Sequence, residues 1–591
     1  MESLSTWAES NFLCKICAKG QPVLVEEENF KGLSSTLVWK CSLCGSISKA
    51  PTSTSFRTLE ETIQRPKATI NIKAVHGTIL AGGTYKTLET ILGVMDIPAM
   101  THQTFNQIGY QTFKTSNEVA LFLCQENIKE ERRLTLENNG TIDLEGRVQI
   151  KGSYDGNWAK RSYRYTYNSL VGAGCLIGYY TGLPLWFAVK NKDCGICASE
   201  TRRGKKSKKH QQQDHNCFKN WDNEKSAKAM EPAIAVEICL ELSKHGVMVK
   251  TIIGDEDAST LKQIRDLLPS PLNEVEKESD LNHIKRNLTT KISKLKAEKY
   301  SDPKFKLSMA NILHMVTNFG WALKTHQNKP KEAAMAIQNV IPHSFGDHTK
   351  CATIGNGEWC KHNDPNYKPG FKGGKYLGHG LDLIQKKQIQ NDLEIIFAEI
   401  TTEEMMEKLA PCGSSQKNES LHSMVISFAS KSLHFGRSNS YLGCYSMAIL
   451  KMFKDNSIGQ LLLDKLGMNI GYHTEEMEKK QNNSKMKQAE RKKRPESKLQ
   501  RNKLKKQRSA KNSKAEKKED PQYESGMGIN KLEQSDGKKR KRSSEEIQSK
   551  KRLKDTEKTD TEYPFQCSII GCTKKYKQKG FLRNHIESKH K

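Results

Sequence analysis

The residues best suited to chemistry fall into two kinds: acids at the ends of apolar runs, and cysteines and histidines at metal-ligand spacing. Asp155 closes the run Ile150-Lys-Gly-Ser-Tyr-Asp155, ahead of Gly156. Asp255, Glu256 and Asp257 close Val247-Met-Val-Lys-Thr-Ile-Ile-Gly254. Carboxylate oxygens are hard donors that suit Mg²⁺ or Mn²⁺, and acids on neighbouring strands would hold such ions for phosphoryl transfer. Asp255 and Asp257 both stand where that run ends, and either could be the acid it delivers. Gly82-Gly-Thr-Tyr-Lys-Thr87 lacks the Gly-Lys-Ser/Thr ending of a phosphate-binding loop and is set aside.

Soft donors form a second set. Cys14-x-x-Cys17 and Cys41-x-x-Cys44 are two knuckles able to present four thiolates to one Zn²⁺, as in a zinc-ribbon-like module over residues 10–50. Such a closed site leaves no position for a substrate. Cys194, Cys197, His215 and Cys217 form a second candidate, with His210 as an alternative to His215. His348-x-x-Cys351 with Cys360-Lys-His362 is a third, looser group. Cys124, Cys175, Cys239, Cys412 and Cys444 lie in apolar stretches and read as core thiols. Near the end, Cys567-x4-Cys572 and His585-x4-His590 enclose Phe565, Tyr576 and Leu582. This is the full pattern of a Cys-Cys-His-His zinc finger over residues 563–591. Its base-reading positions would be Gln578, Phe581 and Asn584.

Elements must bring the acids together. Ser169–Tyr180 and Leu183–Val189, split by Thr181-Gly182, read as two strands returning beside the first. A helix around Glu224–His245 follows, then the β-branched run before Asp255, which reads as a central buried strand. Ala258–Leu268 continues as a helix. Residues 68–140 have helical spacing and read as a small helical domain.

Composition limits the partners. The chain has 591 residues, a net charge of +29 and a pI near 9.3, which favours a polyanionic partner. It contains no long apolar run and no basic, apolar leader, so neither a membrane span nor a secretory signal is expected. The 16 cysteines then belong to a reducing compartment, as metal ligands or packed thiols. Residues 473–560 carry many lysines and arginines and almost no aromatics, and read as a disordered basic linker. Its clusters at 491–494, 538–542 and 550–554 fit nuclear import signals or phosphate contacts.

Strand-strand-strand-helix-strand-helix is the order of the RNase H fold. The chain also resembles a transposase of the Mutator-like group, close to Kolobok-type elements, within the DDE, RNase H-like superfamily. The resemblance rests on Ser153-Tyr-Asp155-Gly-Asn-Trp158, Ile253-Gly-Asp255-Glu-Asp257, Asp280-Leu-Asn-His283 and Asn418-Glu419-Ser420, and covers roughly 145–470. It implies an α/β catalytic core with a helical insertion at about 284–410, and metal-binding roles for Asp155, Asp255 and Glu419. It implies a shaping role beside the active site for Asp280 and His283. The expected activity is metal-dependent cleavage and strand transfer on double-stranded DNA, by a nuclear homo-oligomer. Alternatives are a domesticated DNA-binding protein that has lost catalysis, and a nuclease that does not join strands.

Overall fold

The β-branched runs around the two acidic stretches form one five-stranded sheet in the computed structural model. The structure describes residues 6–516 except 9–10, 57–65, 160–168, 203–216, 306, 352–359 and 361–376, together with 565–566, 572, 575–576 and 585. The chain divides into two units, Met1–Ser497 and Lys498–Lys591.

The first unit opens with an antiparallel sheet of β1 (Pro22–Lys31), β2 (Ser34–Cys41) and β3 (Ile47–Pro51). Helices α1 (Thr69–Leu80), α2 (Tyr85–Val94) and the 36-residue α3 (His102–Glu137) follow. The central sheet comprises β4 (Val148–Trp158), β5 (Val171–Gly178), β6 (Pro184–Asn191), β7 (Val247–Gly254) and β8 (Glu276–Ser279), in the order β8-β7-β4-β5-β6. The β4-β5-β6 meander is antiparallel, whereas β7 pairs parallel with both β4 and β8. Within this sequence lie α4 (Gly195–Arg202), α5 (Met230–Lys244) and α6 (Ser259–Leu267). After β8 come α7 (Leu281–Lys299), α8 (Met309–Thr325), α9 (Pro330–Gln338), α10 (Val340–Ser344), α11 (Leu383–Ala398) and α12 (Glu403–Leu409). The chain then returns through α13 (Gln416–Phe428), α14 (Ser440–Lys454) and α15 (Ile458–Lys465).

Among the described residues, two hydrophobic cores result. The larger joins α1–α3 to the sheet, α5, α13 and α14, so the helices of residues 68–140 share the core of the sheet instead of forming a core of their own. Buried Glu131 on α3 ties them to the sheet by accepting bonds from the Tyr180 and Thr181 amides at the β5–β6 turn (3.0 and 2.8 Å). The second core runs from Leu281 to Leu409 and belongs to α7–α12.

Two sequence expectations are corrected. β4 does not stop at Asp155 but continues to Trp158, because β5 still pairs with it from Asp155↔Cys175 to Trp158↔Gly172. The basic stretch expected to be disordered is helical over α16 (Tyr472–Lys493) and α17 (Pro495–Glu516). Lys, Glu, Gln, Met and Arg favour helix. α16 also has anchors: Glu478 is buried and accepts from the Gln460 amide (3.2 Å), and Asn482 accepts from the Asn456 amide (3.2 Å). Residues 517–560 lie outside the described ones.

Candidate active site

Register brings the first two acids together. Ser153 and Ile253 are the last paired residues of β4 and β7, and Asp155 and Asp255 each lie two residues further on. Residues two apart on a strand share a face. Ser153 donates through Oγ to Asn418 Oδ1 on α13 (2.6 Å), so Asp155 lies on the α13 face. Tyr154 turns the other way and donates to the Glu231 carbonyl at the start of α5 (2.6 Å).

Asn418 sets the position of α13. It is fully buried, and its Nδ2 donates to the carbonyls of Ser153 (3.3 Å) and Cys175 (2.9 Å). One amide thereby grips two strands, and the next residue is Glu419. Like-charge repulsion from Glu419 reaches Asp155. Burial, with Asp255 and then Glu419 and Asp280 nearby, pushes the Asp155 carboxyl up to about 7. Asp257 is committed elsewhere. Burial alone would raise its pKa, but bonds from Ser259 hold it below the usual carboxylate range; the Ser259 amide donates to Oδ1 at 3.1 Å. Asp255 in turn accepts through Oδ1 from the Asp257 amide (3.3 Å).

Asp280 and His283 separate into two roles. Asp280, 2 % exposed, follows β8 as Asp255 follows β7, and caps α7 by accepting from the Asn282 and His283 amides. Its Oδ2 also accepts from the Ser415 amide (2.8 Å) and the Ser415 hydroxyl. Despite its burial, these bonds hold it below the usual carboxylate range. Its work is to fasten the start of α7 to the residue before α13. His283 stands one turn along, with Nε2 3.8 Å from Glu419 Oε1, and Arg286 donates to the same oxygen at 3.0 Å.

Two residues near Asp155 carry no motif and escape sequence reasoning. Glu231, in the first turn of α5, accepts from the Gly156 amide (3.2 Å). A Cβ at Gly156 would lie 2.7 Å from Glu231 Cδ, so this glycine makes room for the carboxylate. Burial, with Asp155, Asp255 and Asp257 close by, pushes Glu231 up to about 8. His422, one turn after Glu419, places Nδ1 3.6 Å from Asp155 Oδ2 and is held down to about 4 by burial. A heptad-style reading of α13 could have put His422 on the Glu419 face; nothing in the sequence singles out Glu231.

The soft donors also converge. Cys14 and Cys44 stand 3.8 Å apart at sulfur, and Cys17 and Cys41 3.7 Å. A tetrahedral zinc with sulfur at about 2.3 Å requires edges of roughly 3.8 Å, whereas a disulfide needs about 2.05 Å. Backbone amides of Ile16, Gly20, Leu43 and Cys44 point at these sulfurs. The Ser46 hydroxyl, followed by backbone amides, draws Cys14 down to about 6. Cys194, Cys197 and Cys217 group together, while His215 and His210 lie outside the described residues. In the second unit Phe565 pairs with Tyr576, and Cys572 Sγ lies 3.2 Å from His585 Nε2. Cys567, His590, Gln578, Phe581 and Asn584 lie outside the described residues.

The family model described as Mutator-like transposase matches residues 1–360, more than half of the chain. The chain belongs to the Mutator-like transposase family. The matched stretch holds the four N-terminal cysteines, both strands with their acids, and α7 with His283. Glu419 lies beyond it. A search of curated proteins returns no match. Members of this family are nucleic-acid-processing enzymes. Among the described residues, no helix is long and apolar enough to cross a membrane.

Proposed function

We propose that this Mutator-like transposase acts on double-stranded DNA, cleaving strands at the ends of a mobile element and joining them to a target. What supports the reading is the register of β4 and β7, in which Asp155 and Asp255 each follow the Ser153–Ile253 pair by two residues, together with the like-charge repulsion that Asp255 and Glu419 exert on Asp155. The strand order supports an RNase H-like core, interrupted after β8 by the helical insertion.

The site fits divalent cations. An acid raised to about 7 by burial, and then by its acidic neighbours, is a carboxylate short of positive charge. Asp155, Asp255 and Glu419 would hold two Mg²⁺ or Mn²⁺ ions, which supply charge stabilisation for the attacking and leaving oxygens. Asn418 keeps Glu419 in register with Ser153, two residues before Asp155. Arg286 and His283 orient the Glu419 carboxylate from α7. Asp280, by joining Ser415 to α7, keeps that helix beside the site.

The four-cysteine module is read as a zinc-ribbon-like DNA contact, and the C-terminal Cys-Cys-His-His segment as a zinc finger. The basic clusters fit nuclear import and phosphate contacts, and action on paired ends fits a homo-oligomer.

The test is cleavage of a duplex carrying the element's terminal sequence in Mg²⁺ or Mn²⁺, comparing wild type with Asp155→Ala, Asp255→Asn and Glu419→Ala. Loss of cleavage in all three, with DNA binding retained, is the expected result. Undiminished cleavage by Asp155→Ala would overturn the assignment. Binding without cleavage by the wild type would instead identify a DNA-binding protein that has lost catalysis.

A further inference from the structure

The helical insertion contains a cluster that the acid site does not use. His343 belongs to α10, His348 and Cys351 to the turn after it, and Cys360 lies further along the chain. Their ligand atoms all lie within 4.8 Å of one another. We propose that the insertion holds its own structural zinc ion, bound by His343 Nδ1, His348 Nδ1, Cys351 Sγ and Cys360 Sγ.

The separations match a tetrahedron. Zinc–sulfur and zinc–nitrogen bonds of about 2.3 and 2.05 Å imply a sulfur–nitrogen edge of roughly 3.6 Å. Cys351 Sγ lies 3.5 Å from His343 Nδ1 and 3.8 Å from His348 Nδ1, and Cys360 Sγ lies 3.5 Å from His348 Nδ1. The two imidazoles meet edge to face at 4.6 Å, with both Nδ1 atoms directed at the thiols. Asn339 Nδ2 donates to Cys351 Sγ (3.3 Å), the outer-shell bond that a buried thiolate needs.

The donor set decides the ion. Two thiolates and two neutral imidazoles balance the charge of Zn²⁺, so the site can sit against an apolar core at little electrostatic cost. Cys351 and His343 are 4 % and 8 % exposed, and Cys351, Phe345 and Leu377 belong to the insertion's core. Four protein ligands close the coordination shell, which assigns the ion to folding and not to chemistry. The ion would pin the end of α10 and Cys360 to that core. His343 supplies the fourth donor of this group; His362, the fourth ligand expected from sequence, lies outside the described residues. Nothing here depends on the reading of the acids.

The experiment measures zinc per chain by mass spectrometry on the purified full-length protein and on His343→Ala, His343→Cys and His362→Ala. His343→Ala should lose one zinc per chain, while His343→Cys and His362→Ala keep the wild-type content. Wild-type content in His343→Ala, or loss of one ion in His362→Ala, overturns the proposal. If His343→Ala fails to fold, His343→Gln decides: a folded variant short of one zinc supports the site, and one with the wild-type content overturns it.

Discussion

Replacing Asn418 by alanine separates the scaffold of the site from its chemistry. The side chain makes three hydrogen bonds, to Ser153 Oγ, Ser153 O and Cys175 O, and is inaccessible to solvent. Each such bond contributes about 1 kcal/mol net. Truncation also strands the buried Ser153 hydroxyl, at a cost of about 1–3 kcal/mol. Together with a small cavity, the expected destabilisation is about 3–4 kcal/mol, several hundredfold in the folding equilibrium. Urea unfolding of Asn418→Ala, Ser153→Ala and the double variant would measure it. Because Ser153 and Asn418 share a bond, the cycle should give a coupling of about 1–2 kcal/mol. Cleavage should fall further than folding under native conditions, since Glu419 loses its register with β4. A cost below about 1 kcal/mol, or no coupling between the two positions, would refute the argument that this amide sets α13 on the sheet.

Other consequences follow from close approaches and burial. A Cβ at Gly20 would lie 2.3 Å from Cys41 Sγ and 2.7 Å from Leu43 Cβ, so Gly20→Ala should empty the four-thiol site. Metal analysis should then show one zinc fewer per chain, and an unchanged count would contradict the packing argument. Burial holds His76 down to about 4, from 6.5 when exposed. An unfolded chain therefore takes up the proton first as pH falls, and the stability this group contributes is complete above pH 6.5 and is lost progressively down to pH 4. Between pH 7 and 5 the wild type should lose about 2 kcal/mol more stability than His76→Leu, read from denaturant unfolding at each pH. Parallel losses in the two proteins would exclude His76 as the cause.

Sequence made the strands legible because they depend on local pattern. Val247–Gly254 is apolar at all but Lys250 and Thr251, and an acid directly after it emerges at the strand's end. The end of β4 was less legible, since pairing with β5, not local composition, carries that strand past Asp155. Glu231 was invisible: its place beside Asp155 depends on the missing side chain at Gly156, seventy-five residues earlier. His343 was hidden for a related reason, because its approach to Cys351 requires the bend after α10. In α16 the composition pointed to disorder, but Glu478 and Asn482 find partners on α15 and the turn before it. Long-range partners are what a linear reading lacks.

Asp280 and Ser415 lie on either side of the insertion, yet a hydrogen bond joins them directly, and the Leu281 amide bonds the Gly413 carbonyl at 3.1 Å. The insertion is therefore a closed side branch whose two roots coincide. Loop-closure entropy depends only weakly on the length between such roots. Lineages can enlarge, trim or exchange the branch while the strands bearing Asp155 and Asp255 keep their spacing, so long as the two roots remain tied. Variation in this protein's relatives has a natural place to accumulate: outside the knot, and not within it.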